Sequence, residues 1–182
     1  MQYDTLNVNL WGGPCVGKTE VANYLVSRLK LSGITCALVQ EYSSELAWQG
    51  KLGETEQLVI TTEQYRRQAS LQGKVKVIVT EGAIPLGILH TPESYRKSLA
   101  QIVSTLTADW RHFNYLIGRD LTRDYDPEGR VETQEEAIAH HERVCVFARQ
   151  WSPSIHEELH PDEAPELILA DILCSLNQPF QR

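Results

Sequence analysis

Short apolar runs alternate with longer amphipathic segments along most of the chain. Four runs have the length and composition of buried strands, at residues 6–11, 34–39, 75–80 and 113–117. Apolar residues recur at helical spacing elsewhere, which predicts helices over residues 18–33, 44–49, 54–72, 93–110, 132–150 and 166–176. A further strand candidate lies in the tail, before the last helix. The chain therefore alternates between strand and helix.

This alternation predicts an α/β fold with a mainly parallel, five-stranded sheet between two layers of helices. Ligands bind to such sheets beyond the carboxyl ends of the strands. Four polar or glycine-rich features follow a predicted strand at this edge, namely the loop from Gly12, Glu41, Glu81 and Arg119. The sequence therefore predicts a functional site at one edge of the sheet.

Length and composition fit one soluble domain. A chain of 182 residues buries a sizeable core, so we expect a single domain over residues 1–182. The four cysteines are scattered and form no CxxC pair, which disfavours a zinc ribbon and predicts reduced thiols. No apolar run approaches the roughly 20 residues that cross a bilayer, and the N-terminus lacks the pattern of a signal peptide. We therefore expect a cytoplasmic protein with no membrane partner.

The charge balance limits the partners. Lys and Arg number 17 against 24 Asp and Glu, which gives a net charge of −7. An acidic chain is unsuited to a long non-specific track along nucleic acid, where many phosphates must be neutralised. A small anionic ligand held by a local group of basic residues remains compatible.

Residues 12–19 read GGPCVGKT and match the phosphate-binding pattern G-x-x-x-x-G-K-[ST] in full. The motif follows a predicted strand and opens a predicted helix, so backbone amides and the helix dipole are placed to bind phosphate. Lys18 is expected to reach the β- and γ-phosphates of ATP, and Thr19 to bind Mg²⁺. The predicted nucleotide contacts are Gly12, Gly13, Pro14, Cys15, Val16, Gly17, Lys18 and Thr19.

Two carboxylates, Glu41 and Glu81, directly follow the second and third predicted strands. Phosphoryl transfer to a hydroxyl needs one group that accepts the hydroxyl proton and another that orients Mg²⁺. We predict Glu41 as the base and Glu81 as the metal-side carboxylate. The alternative for each is a solvated loop residue or a helix N-cap.

Residues 119–130 are polar and contain Arg119, Arg123 and Arg130. Guanidinium groups brought in by a closing loop stabilise charge on a transferred phosphoryl group, so we predict a lid with catalytic arginines. The alternative is a surface loop whose arginines pair with neighbouring acidic residues, Asp120, Asp124, Asp126 and Glu128.

Residues 156–160 match the zinc pattern H-E-x-x-H, but their context is unsuitable. Pro153 and Pro161 leave room for barely two helical turns, and the apolar residues also alternate as in a strand. We therefore do not predict a zinc site. His140 and His141 are predicted to be ordinary helix-surface residues.

These motifs together resemble a family of small P-loop kinase-like ATPases common in bacteriophages, related to the kinase domain that phosphorylates nicotinamide riboside. The matching segments are GGPCVGKT, QEYSSELA, GKVKVIVTEG with PLG beyond it, and RDLTRDYDPEGRVETQEEA. They span residues 6 to about 150. The resemblance implies a P-loop α/β sandwich with a lid, and ATP-dependent phosphorylation of a nucleoside- or nucleotide-like acceptor.

One segment departs from that family, which tends to carry Asp-Ser-Pro where this chain has Glu81-Gly82-Ala83. The metal-side carboxylate is therefore one methylene longer. The chain also resembles deoxynucleoside kinases, which carry a glutamate after the second strand and an acidic residue after the third. Their arginine after that acid is missing here.

We predict an ATP- and Mg²⁺-dependent kinase acting on a nucleoside, nucleotide or related small metabolite, in the host cytoplasm if the chain is phage-encoded. One alternative is a kinase acting on a hydroxyl of DNA or RNA, at an end or on a hydroxymethylated base, which the acidic charge disfavours. Another is a regulatory nucleotide-binding ATPase. Both a monomer and a homodimer are compatible with the sequence.

Overall fold

The computed structural model describes residues 3–125 and 132–177 and contains a five-stranded sheet in which all paired strands are parallel. The strands are β1 (Leu6–Trp11), β2 (Cys36–Val39), β3 (Val77–Thr80), β4 (Arg111–Ile117) and β5 (His156–Leu159). Their order across the sheet is β2-β3-β1-β4-β5. The predicted α/β fold with a five-stranded parallel sheet is confirmed.

The helices are α1 (Lys18–Leu31), α2 (Tyr42–Trp48), α3 (Gln57–Ala69), α4 (Leu86–Leu89), α5 (Glu93–Thr107), α6 (Gln134–Trp151) and α7 (Ala164–Asn177). The helix predicted over residues 54–72 is shorter, because a 3₁₀ turn at Leu52–Glu54 precedes it. Helix α4 was not predicted, since four residues are too few to show a helical period. Within the described ranges, no helix is both long and apolar enough to cross a membrane.

Both faces of the sheet are covered. On one face, Leu6, Val8 and Leu10 of β1 pack in a cluster with residues of α1 and α7. On the other, Trp11 and Leu116 pack with residues of α6. Strand β1 is therefore buried on both sides, which fixes the loop that follows it.

The polar residues of β1 are paired inside the fold. Asn9 donates a hydrogen bond to Asn114 Oδ1 over 2.9 Å, and the Trp11 indole nitrogen donates to the same oxygen over 3.0 Å. Asn7 Nδ2 donates to the carbonyl oxygen of Arg111 over 3.2 Å. These bonds avoid the cost of burying unpaired polar groups in the central strand.

The carboxyl ends of four strands carry the predicted site residues to one edge. The Gly12 loop follows β1, Glu41 follows β2, Glu81 follows β3 and Arg119 lies just beyond β4. This arrangement follows from parallel strands, whose carboxyl ends all meet at the same edge.

Thr133 caps helix α6 and provides a test of local stability. Its hydroxyl accepts a hydrogen bond from the Glu136 amide, and the Glu136 carboxylate accepts one from the Thr133 amide over 2.8 Å, forming a capping box. Thr133→Ala is expected to lower the free energy of unfolding by about 1 kcal/mol. Urea denaturation measures this change. An unaltered unfolding midpoint would show that water replaces the cap without loss.

Candidate active site

The loop at residues 12–17, called the phosphate loop below, connects β1 to α1. Cys15 (φ 56°) and Gly17 (φ 86°) both adopt the left-handed conformation that turns successive amides to one side of a loop. Lys18 Nζ donates hydrogen bonds to the carbonyl oxygens of Gly12 (2.9 Å) and Gly13 (2.7 Å). The ammonium group, the amides and the N-terminal end of α1 together make this loop suited to an anion.

Two side chains tie the outer part of this loop to α6. The Gly13 amide donates to His141 Nδ1 over 3.1 Å. Arg119 Nη2 donates to the carbonyl oxygens of Pro14 (2.5 Å) and Ala137 (3.1 Å). Arg119 therefore packs against the phosphate loop, and its Nε is buried without a hydrogen-bond partner among the described residues.

His141 is buried, with 5% of its surface exposed, so the prediction of a helix-surface residue was wrong. It shares the buried face of α6 with Ala137, Val144, Cys145 and Ala148. This spacing is the period of an apolar helix stripe and is visible in the sequence. Burial lowers the pKa of His141, although the Glu158 carboxylate opposes the shift.

Thr19 and Glu81 lie together beside the phosphate loop. The Thr19 hydroxyl donates to Glu81 Oε2 over 3.3 Å, while Oε1 is buried without a partner among the described residues. Burial raises the pKa of Glu81, which is 6% exposed. A buried, unsatisfied carboxylate oxygen beside a hydroxyl suits a hard cation that takes oxygen ligands. These residues therefore fit Mg²⁺.

Glu41 faces the same region from the start of α2. Ser43 donates a hydrogen bond from its hydroxyl to Glu41 Oε1 over 2.8 Å. The backbone of Gly82 lies so close that a Cβ there would be 2.8 Å from Glu41 Cγ. The glycine where the resembling family tends to carry serine thus makes room for the Glu41 side chain.

Gly82→Ala tests whether the placement of Glu41 matters. The φ of Gly82 is not positive, so Ala is compatible with the backbone, but its methyl group must displace Glu41. Should the site carry out the phosphoryl transfer that the sequence predicts, kcat is expected to fall by up to roughly 10²-fold, with little change in the KM for ATP. Steady-state kinetics with a thermal melt as the folding control measures this. An unchanged kcat would mean that Glu41 is not required at its present position.

A cavity of about 450 Å³ opens beside Glu41 and the phosphate loop. Its apolar walls come from α2, α3, α4, α6 and nearby loops, and include Ala47, Leu52, Ile60, Ala83, Ile84, Leu86 and Val144. Gln64 also lines it and accepts a hydrogen bond from the Tyr42 amide over 2.9 Å. The ionisable lining residues are Lys18, Glu41, His90, Glu132 and His140.

The two histidines in this cavity are linked. His90 Nε2 and His140 Nε2 are 3.2 Å apart, and His140 Nδ1 lies 2.7 Å from Glu132 Oε1. The prediction of an ordinary surface residue was therefore wrong for His140 too. This contact crosses elements that are distant in sequence, so no local pattern could have indicated it.

Arg123 lies at the opposite side of the loop, beside the start of α1. It pairs with Glu20 over 2.6 Å, with Asp120 over 3.4 Å, and with Asp162. The pairing with Asp120 corresponds to the alternative of a loop held by its own acidic residues. Arg130 lies outside the described residues, as does the end of the predicted lid, so the lid stays a prediction.

In the described parts of the chain, two clusters of potential metal ligands have other partners. The segment with the H-E-x-x-H pattern forms strand β5, as its alternation indicated. Glu158 of this strand approaches His141 and Cys145. His141 Nδ1 accepts a hydrogen bond from the Gly13 amide, so the neutral ring carries its proton on Nε2. Nε2 is the nitrogen that faces Glu158 and Cys145, and while protonated it has no lone pair for a metal. The second cluster is Asp120, His160 and Asp162, whose two carboxylates already pair with Arg123.

Comparison with known proteins shows similarity only at the level of structure. No protein-family model and no curated protein matches the chain. A NadR protein solved with NR superimposes with a TM-score of 0.69 at 14% identity, over 98% of this chain and 54% of the other. A NadR protein solved with NAD and AMP-PNP gives 0.64 at 14% identity, over 98% and 52%. Shikimate kinase from Acinetobacter baumannii in complex with shikimate gives 0.51 at 16% identity, over 96% and 97%.

The chain thus spans about half the length of the NadR chains it matches. At identities this low, the likeness concerns the fold and not the substrate. This chain therefore shares the fold of these NadR and shikimate kinase structures.

Proposed function

We propose that this protein, as a single domain, is a kinase that transfers the γ-phosphoryl group of ATP to a hydroxyl group of a small nucleoside-like acceptor. The observation that carries the proposal is the shared cavity of Lys18 and Glu41, which puts a phosphate-binding ammonium and a carboxylate at one space of about 450 Å³. Cavities of roughly 300–1,000 Å³ are typical of small-molecule sites.

The loop amides and Lys18 bind the β- and γ-phosphates of ATP. Thr19 and Glu81 hold Mg²⁺, which when bound neutralises charge on the phosphates. Glu41 accepts the proton of the acceptor hydroxyl while the hydroxyl oxygen forms a bond to the γ-phosphorus. The bond from that phosphorus to the β,γ-bridging oxygen breaks, and ADP is the leaving group.

The arginines have unequal places in this proposal. Arg119 donates a hydrogen bond to the Pro14 carbonyl oxygen of the phosphate loop. In this proposal, that bond keeps the Arg119 guanidinium next to the transferred phosphoryl group. Arg123 must exchange its carboxylate partners before it can contact ATP. Arg130 completes the proposed lid.

The charges of the cavity favour an acceptor without a phosphate of its own. Glu41 and Glu132 both line it, and Lys18 is the one Lys or Arg among its described lining residues. An acceptor phosphate would need further guanidinium or ammonium groups, as anion-binding sites normally provide. A neutral or cationic nucleoside-like compound therefore fits better than a nucleotide.

A coupled assay of ADP release with Mg²⁺ and ATP tests the proposal across a panel of nucleosides and their monophosphates. We expect at least one nucleoside to raise ADP release well above the acceptor-free rate, and monophosphates to raise it less. Mass spectrometry of the phosphorylated product confirms transfer. Acceptor-independent hydrolysis that no compound stimulates would instead support a regulatory ATPase and contradict the proposal.

A further inference from the structure

The hydrogen bond between the phosphate loop and His141 assigns the protons of the imidazole ring. A backbone amide can only donate, so His141 Nδ1 must accept from Gly13 N–H over their 3.1 Å distance. The neutral ring then carries its proton on Nε2, which lies 3.1 Å from Glu158 Oε1 and 3.4 Å from Cys145 Sγ. Glu158 thus accepts from His141 and fixes this tautomer.

A doubly protonated ring would not fit this arrangement. Nδ1–H would point at Gly13 N–H, and two donors repel where a hydrogen bond existed. The loop has little space in which to adjust, since a Cβ on Gly13 would lie 2.7 Å from the His141 Cα on α6. Protonation of His141 must therefore displace either the ring or the phosphate loop.

We infer that His141 is a positioning residue that holds the phosphate loop in its nucleotide-binding shape, and that it does so only while its ring is neutral. The inference rests on the proposed function, because it concerns the affinity of the same loop for ATP. His141 contacts no reacting atom and acts through the Gly13 amide.

Charged and titratable groups approach His141 from several elements. Glu158 lies on β5, and Arg149 of α6 donates to its second carboxylate oxygen over 3.3 Å. Cys145 lies one turn along α6, while Arg119 beyond β4 and Lys18 at the start of α1 add positive charge. Burial, Arg119 and Lys18 lower the pKa of His141, and Glu158 raises it, with burial the largest cause. The ring is therefore neutral at pH 8 and takes up a proton only at a lower pH than an ordinary imidazole does.

The direction of the pH effect follows from this. Nucleotide binding that requires neutral His141 is complete well above the pKa of the ring and weakens as the pH falls through it. Loss of one buried hydrogen bond corresponds to an affinity loss of about tenfold. The phosphates of ATP also take up protons as the pH falls, so the pH profile of the wild type alone does not show whether His141 causes the loss of affinity.

Calorimetry with Mg²⁺ and AMP-PNP, on the full chain from pH 5 to pH 8, tests the inference with two variants. His141→Asn keeps an acceptor oxygen near the position of Nδ1 but does not titrate. It should bind AMP-PNP as the wild type does at pH 8, and between pH 8 and pH 5 its affinity should fall about tenfold less than that of the wild type. His141→Leu lacks the acceptor and should bind about tenfold more weakly at every pH. His156→Asn removes an exposed histidine of β5 and serves as the control that should retain the wild-type profile.

The outcomes separate this inference from the proposed function. Wild-type protein that fails to bind AMP-PNP at pH 8 would refute the proposed function itself. If the wild type binds, parallel acid profiles of wild type and His141→Asn would overturn the role of His141. Should His141→Leu not fold, the comparison of those two profiles still decides the question.

Discussion

Lys18→Ala should lower kcat/KM for phosphoryl transfer by roughly 10³-fold, the loss typical when a preorganised donor to the transition state is removed. Lys18 is the one Lys or Arg among the described residues that line the cavity. Arg119 also lies at the loop, but its Nη2 already donates to the carbonyl oxygens of Pro14 and Ala137. Its bonds to the carbonyl oxygens of Gly12 and Gly13 also tie the start of the loop to the first residue of α1. Both the affinity for ATP and kcat should therefore fall.

Initial rates with the best acceptor, measured over a range of ATP concentrations, separate these two effects. Lys30→Ala is the matched control, because Lys30 is exposed in the last turn of the same helix, α1. A thermal melt of each variant confirms folding. If Lys18→Ala retained activity within a few-fold of the control, Lys18 would not contact the transferred phosphoryl group.

The edge that carries the candidate site could be predicted from the sequence because it follows from local patterns. The phosphate motif lies between an apolar run and a helical period, and Glu41 and Glu81 each end a strand-like run. Parallel strands then bring these ends together without further information. Element boundaries differ by a few residues, as at β2, which begins only at Cys36.

The parts that could not be predicted depend on how α6 packs on the sheet. His141 reaches Gly13 across the fold, and His140 meets His90 at the cavity, although both are neighbours in a helix with polar residues around them. The apolar stripe of α6 could have shown that His141 is buried, contrary to our prediction, but not what it contacts. Such contacts are set by tertiary packing, which local propensity does not determine.

Gly82 is another residue whose packing partner could not be predicted from the sequence. The sequence shows that a glycine stands where the resembling family tends to have serine, but not what this glycine contacts. The structure relates Gly82 to Glu41, whose Cγ occupies the space that a side chain at residue 82 would need. The departure therefore changes the packing between two neighbouring strand ends.

Glu41→Gln should lower kcat by roughly 10²–10⁴-fold, the usual contribution of a general base. Gln has nearly the same size and shape as Glu. Its side-chain oxygen can still accept the hydrogen bond that the Ser43 hydroxyl donates to Glu41 over 2.8 Å in the wild type. The contact with Gly82 is also retained. The substitution therefore removes the proton acceptor with little change in the cavity, and the KM for ATP should stay near its wild-type value.

Single-turnover rates of product formation measure the chemical step directly, without interference from product release. Glu45→Gln is the matched control, since Glu45 lies on the same helix α2 and pairs with Arg67 at the surface, over 2.7 Å, away from the cavity lining. A loss confined to Glu41→Gln would support the base. Equal rates for both variants would contradict it and direct attention to Glu132, the other carboxylate that lines the cavity.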